Sequence, residues 1–129
     1  MSTLTFIATY RVLPDGRDAF RDFAVEYAEF VEREEPRVMS LGLYFSDDGS
    51  RFVHVIELPD TEAMEAHLPL VGSFITKSSE FVVAEEITVL GRPGPRLQAA
   101  LDGNAENGAR VEVLAPRWAG FSRAAVVPA

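Results

Sequence analysis

His54 and His67 are the only histidines among 129 residues, and the chain has no cysteine. An imidazole changes charge near neutral pH, so either residue can accept a proton from a substrate hydroxyl or return one. Without cysteine there is no disulfide, thiolate metal site or cysteine nucleophile. Neither histidine has a second strong ligand at metal-site spacing on one helix face, so no metal is expected. No Gly-x-Ser-x-Gly elbow is present. Gly91-Arg92-Pro93-Gly94-Pro95 has glycines, but its prolines lack the N–H groups a phosphate cradle needs.

Strand parity puts His54 on one side with Phe52, Ile56 and Leu58. If that side meets the helices, His54 lies on a pocket floor, where a structural hydrogen bond competes with a catalytic role. His67 falls near a helix end, in line with Met64 and Leu68. It faces a pocket or bonds a terminal carbonyl. Tyr10 shares the side of His54 by parity and offers a phenolic hydroxyl, with Arg92 as a second anion-stabilising donor. Phe52, Leu58 and Phe74 are the expected apolar lining. Trp118, beside Arg117, serves either as a pocket lid or as a hydrophobic anchor for the tail. Glu85 and Glu86 are adjacent and fall on opposite strand faces, so one of them is expected to point into apolar surroundings, to salt-bridge an arginine across a dimer, or to sit at a strand end in water.

These residues are positioned by a recognisable run of elements. Leu4 to Val12 is rich in β-formers and closes on Pro14-Asp15-Gly16. Phe20, Phe23, Ala24, Tyr27, Phe30 and Val31 recur every three or four residues as one helix face, and Pro36 stops the helix. Glu32, Glu34 and Glu35 crowd its end, where the helix dipole disfavours anions, and are read as a solvated cluster. Val38 to Ser46 and Arg51 to Leu58 form a hairpin around Asp47-Asp48-Gly49-Ser50. Asp60 or Thr61 caps a helix that Pro69 and Gly72 split in two, the second part covering Val71 to Ser79. Phe81 to Leu90 is a fourth strand. In the tail, Arg96 to Leu101 reads as a short helix, 102–108 as a loop, and Val111 to Leu114 and Phe121 to Val127 as strands.

The order specifies an α+β, ferredoxin-like βαββαβ domain over 1–91, with antiparallel strand order 4-1-3-2 and both helices on one face. Residues 92–129 form a C-terminal extension with one or two extra strands, packing on the body or on a partner subunit. The other sheet face also carries apolar side chains, and a homodimer is the economical way to bury it.

Two blocks carry a resemblance to a known family. Leu4 to Val12 with Pro14, Gly16 and the following helix is similar to the opening of the antibiotic biosynthesis monooxygenase family, in the dimeric α+β barrel superfamily. Glu57-Leu58-Pro59-Asp60-Thr61-Glu62-Ala63-Met64-Glu65-Ala66-His67-Leu68 resembles its strand-to-helix segment ending in histidine. The resemblance implies a dimer with a pocket between sheet and helices. It further implies O₂-dependent oxidation of quinols, anthrones or other polycyclic phenols without cofactor. Leu58 stands where the family often has tryptophan, and Ser73 where it often has a second histidine. Haem-degrading relatives combine asparagine, tryptophan and histidine, and Tyr10 and Leu58 replace the first two, so haem degradation is not expected.

A formal charge of −8 repels nucleic-acid phosphates and anionic lipid surfaces. Seven basic and seventeen acidic residues lie through Gly91, against five basic and three acidic beyond it. No apolar run approaches the roughly 18 residues of a membrane span, and no signal peptide is evident, so a cytoplasmic protein is expected. Three functions remain open. The first is a cofactor-independent monooxygenase using His54 or His67 as base on a phenolic, quinol or polycyclic aromatic substrate. The others are a non-redox isomerase or cyclase on the same scaffold, and a non-catalytic ligand-binding module.

Overall fold

The computed structural model describes residues 3–123. Strand β1 (Leu4–Val12) leads into helix α1 (Arg17–Glu34), followed by the hairpin β2 (Ser40–Phe45) and β3 (Arg51–Leu58). Helices α2 (Thr61–Leu70) and α3 (Gly72–Ser78) precede β4 (Val82–Leu90), and α4 (Pro95–Glu106) and β5 (Arg110–Leu114) complete the order. The sheet runs β2-β3-β1-β4-β5. Its first four strands are the antiparallel 4-1-3-2 arrangement of the ferredoxin-like fold, and β5 is added parallel to β4.

Register decides which side chains meet the helices. Leu4, Phe6, Ala8 and Tyr10 stand opposite Leu58, Ile56, His54 and Phe52. Leu4, Phe6, Ala8, Tyr10, Ile56 and Leu58 pack with Ile87 and Val89 of β4, Met64 of α2 and Leu97 of α4, while Phe52 packs with Val12, Phe20 and Val82. The opposite face carries Ile7, Val53 and Val55 at its centre, and Tyr44, Leu90 and Leu114 are 61 %, 40 % and 50 % exposed there. No helix covers it.

Local signals account for the helix ends. Gly16 adopts φ 83° before α1, and a Cβ there would also meet the Phe81 ring at 3.3 Å. The Asp60 carboxylate accepts from Ala63 N–H at 2.8 Å and caps α2. Pro69 and Gly72 do split the second helical region. The Glu65 carboxylate accepts from the N–H groups of Arg96 and Leu97 at 2.8 and 2.9 Å, placing a negative charge at the N-terminus of α4. That approach needs Gly94, where a Cβ would lie 2.6 Å from the Glu65 carboxyl carbon.

Three expectations change. The tail helix runs on to Glu106 through the segment read as a loop. Leu97 and Leu101 bury one face, while Gln98 bonds Asp102 and Asn104 bonds the Ala100 carbonyl, so packing and i,i+4 bonds carry the helix past Gly103. The register of β1 and β4 shifts between Thr9 and Tyr10, leaving Glu85 as the extra residue of a bulge. Glu85 and Glu86 are therefore both exposed, and Glu86 meets Arg110 at 3.7 Å instead of entering the core. Phe121 to Arg123 form no strand, and 124–127 of that expected strand lie outside the described residues.

Candidate active site

A cavity of about 150 Å³ lies between the sheet and all four helices. Its floor comes from β1 and β3 through Phe6, Tyr10, Phe52 and His54. Phe23 and Tyr27 of α1, Met64 and His67 of α2, and Phe74 of α3 form the walls, and Leu101 and Asn104 of α4 close it. Ile75 on α3 is 52 % exposed and Ala100 on α4 is exposed, which places the mouth between those two helices. The volume suits one aromatic ring, since an engineered hole of about 150 Å³ holds benzene.

Two hydrogen-bonded pairs supply the chemistry. The first joins Tyr27 Oη to His54 Nε2 at 3.0 Å, with Phe6 edge-on to the imidazole at 5.7 Å. Burial first, and the nearby His67 second, bring the His54 pKa down to about 4, so this ring is neutral at pH 7. Its surface-area exposure is intermediate, yet its Nδ1 is buried without a hydrogen bond; the exposed part is the edge that faces the cavity. Burial pushes the Tyr10 hydroxyl up to about 12. Burial, then Glu35 and Tyr10, push Tyr27 up as well. Both phenols hold their protons at neutral pH and can act as donors.

The second pair joins His67 Nδ1 to Glu35 Oε1 at 2.7 Å. The histidine is 4 % exposed and the carboxylate 7 %. That length lies at the short end of the N–H···O range. Glu35 follows the last turn of α1 as its C-cap, its own N–H donating to the Val31 carbonyl at 2.9 Å, and Pro36 prevents further helix. The solvated reading of this helix end is thus corrected at Glu35: only Glu32 and Glu34 are exposed. Glu35 Oε2 is buried with no partner.

The structure brings together Tyr10, Phe52, His54, His67 and Phe74 from the sequence reading. Leu58 does not reach the cavity; it is fully buried beside Leu4 and Met64. Arg92 is exposed away from it, and its carbonyl accepts from Thr61 Oγ1 at 2.6 Å. Trp118 is 96 % exposed, so within one chain it neither covers the cavity nor anchors the tail. The neighbouring Arg117 bonds Thr3 Oγ1 at 3.0 Å. Sequence reasoning missed Glu35, Tyr27 and the α4 wall. Tyr27 lay within an aromatic stripe that reads as core. Glu35 had one signal, an acid kept where the helix dipole disfavours it. Among the described residues no three side chains of metal-ligating type gather.

No family model and no curated protein sequence matches the chain. Solved structures do. MupZ from Pseudomonas fluorescens superposes with a TM-score of 0.69 at 17 % identity, covering 95 % of this chain and 96 % of MupZ. SnoaB, a cofactor-independent oxygenase from Streptomyces nogalater, gives 0.60 at 18 % identity over 73 % of this chain and 96 % of its own. A candidate antibiotic biosynthesis monooxygenase from Nitrosomonas europaea gives 0.59 at 20 % identity, over 72 % and 90 %. The chain has the fold of the antibiotic biosynthesis monooxygenase-like proteins. The latter two likenesses span about what the βαββαβ core would fill, whereas the first is long enough to include α4 and β5.

Proposed function

We propose that the protein is a cofactor-independent monooxygenase of a small phenol or quinol, with His67 as the base. The observation that carries this reading is the aromatic cavity lined by His67, whose Nδ1 is bonded to Glu35 while no group among the described residues bonds Nε2. His67 commits Nδ1 to Glu35, leaving Nε2 for substrate. His54 is the weaker candidate, because Nε2 is occupied by Tyr27 and burial has made the ring a poor base. Tyr27, held by His54, and Tyr10 are placed to donate to the substrate oxygen as it becomes an anion.

The reaction balances without a cofactor. His67 removes the phenolic proton, and the phenolate passes an electron to O₂. Radical and superoxide then combine at a ring carbon, and protonation gives a hydroperoxide. Loss of water leaves a carbonyl, so one oxygen atom stays in the quinone and the other leaves as water. The cavity volume narrows the expected substrate from a polycycle to one reacting ring, with any larger remainder passing out between α3 and α4. The fold likeness to SnoaB supports the scaffold.

A second reading rests on the two proton-handling pairs themselves. A base and a phenolic donor in one apolar cavity are also what a non-redox isomerase or cyclase needs. Oxygen uptake in the presence of chelator separates the two, using a panel from single-ring hydroquinones to anthrones. Uptake should occur with the smaller rings and fall roughly 100-fold or more in a folded His67→Ala variant. Full turnover in that variant overturns the assignment, and conversion of a panel member without oxygen uptake selects the non-redox reading.

The chain is further proposed to act as a homodimer through the helix-free sheet face. Ile7, Val53 and Val55 provide an apolar centre there, with Tyr44 and Leu90 beside it. Charges of both signs, Arg11, Glu57, Glu86 and Arg110, lie on the same face. Among the described residues no helix is long and apolar enough to cross a membrane.

A further inference from the structure

We infer that Glu35 is the positioning carboxylate of this site: it holds His67 in the Nδ1–H form and so presents Nε2 to the cavity as a proton acceptor. The inference rests on the assignment of His67 as base and deepens it. Glu35 does not line the cavity, as His67 does; it lines a separate groove of about 850 Å³ between α1 and β2. The two side chains come from elements 32 residues apart and meet at 2.7 Å, both buried.

An ionised carboxylate can only accept, so a bond to Nδ1 requires the proton on that nitrogen. Which nitrogen carries the proton follows from the bond made by the other. When Nε2 takes a proton from substrate, the resulting imidazolium lies against the Glu35 carboxylate and the pair is neutral overall. Nothing in the cavity could provide this. His54 and the two tyrosines are neutral there, and the lining contains no carboxylate. The groups facing Glu35 are His67 from α2 and Tyr27 from α1, while Arg21, Glu29 and Glu32 line the outer groove with it. Glu35 Oε2, the second carboxylate oxygen, is buried without a hydrogen-bond partner among the described residues.

A purely structural staple between α1 and α2 would make a different set of results. ¹⁵N-histidine NMR of the substrate-free protein should show His67 protonated on Nδ1 in the wild type, shifting to Nε2 in Glu35→Leu and recovering in Glu35→Asp. In oxygen uptake with hydroquinone, kcat should fall at least about tenfold in Glu35→Leu and in the shape-preserving Glu35→Gln, with KM nearly unchanged. An Nε2–H form in the wild type overturns the inference, as does wild-type kcat in folded Glu35→Gln. The NMR experiment needs no substrate, so it fails or succeeds apart from the oxygenase reading. Where Glu35→Leu does not fold, Glu35→Gln serves for the kcat measurement, since its amide oxygen can still accept from Nδ1–H and only the charge is removed.

Discussion

His54 and His67 look equivalent by residue type, and their neighbours make them different. His54 sits among Phe6, Phe52 and Tyr27 with one ring nitrogen unpartnered, so its neutral form is favoured in the folded chain. In the unfolded chain it would titrate near its ordinary value of 6.5. Between pH 6.5 and about 4 the unfolded state therefore binds the extra proton. Stability should be complete above that window and decline as pH falls through it, by on the order of 3 kcal/mol. Urea titrations from pH 7 to 4 should show the decline, and His54→Gln, which cannot titrate but can still bond Tyr27, should flatten it. At the other pair, Glu35→Ala should destabilise by about 1–3 kcal/mol, because it leaves the buried Nδ1–H of His67 without its acceptor. A denaturation midpoint equal to the wild type would show that the pair carries no net energy.

Helix α4 turns a tail into part of the site. Glu65 holds its N-terminus, Leu97 and Leu101 enter the main core, and Asn104 reaches the cavity. Leu97→Ala should cost about 2–5 kcal/mol, the range for a fully buried leucine, and is read from the urea midpoint. Truncation after Gly91 should do more, since it uncovers the cavity and also leaves β4 as an unprotected edge. A truncated chain that kept the wild-type oligomeric state and stability would show α4 to be accessory. The sequence read only the first half of this helix because Gly103 and Asn104 are turn-formers by local propensity. Burial of Leu101 outweighs the cost of one helical glycine, about 1 kcal/mol.

At the scale of the whole molecule, four helices among the described residues fill one sheet face and none covers the other. Homodimerisation through that face predicts that Val53→Glu dissociates the wild-type dimer in sedimentation without changing the fold, because the charge enters an apolar centre. A wild-type monomer at micromolar concentration would count against the interface. The exposed Trp118 and Phe121, 96 % and 73 % accessible, lie in the tail beyond β5, and Phe121 carries the Arg123 guanidinium over its ring at 4.7 Å.

From the sequence alone, the element order, the split second helix and the face shared by Tyr10, Phe52 and His54 could be read, because strand and helix periodicities are local properties of the chain. The tertiary structure decided which polar groups meet. Glu35 with His67 and Tyr27 with His54 are contacts between segments 32 and 27 residues apart. A bulge at Glu85 altered parity where alternation alone predicted otherwise. The choice of wall was likewise long-range, with α4 closing the cavity and Leu58, Arg92 and Trp118 left outside it. Periodicity tells which side a residue faces; only packing brings it within hydrogen-bond distance of a partner.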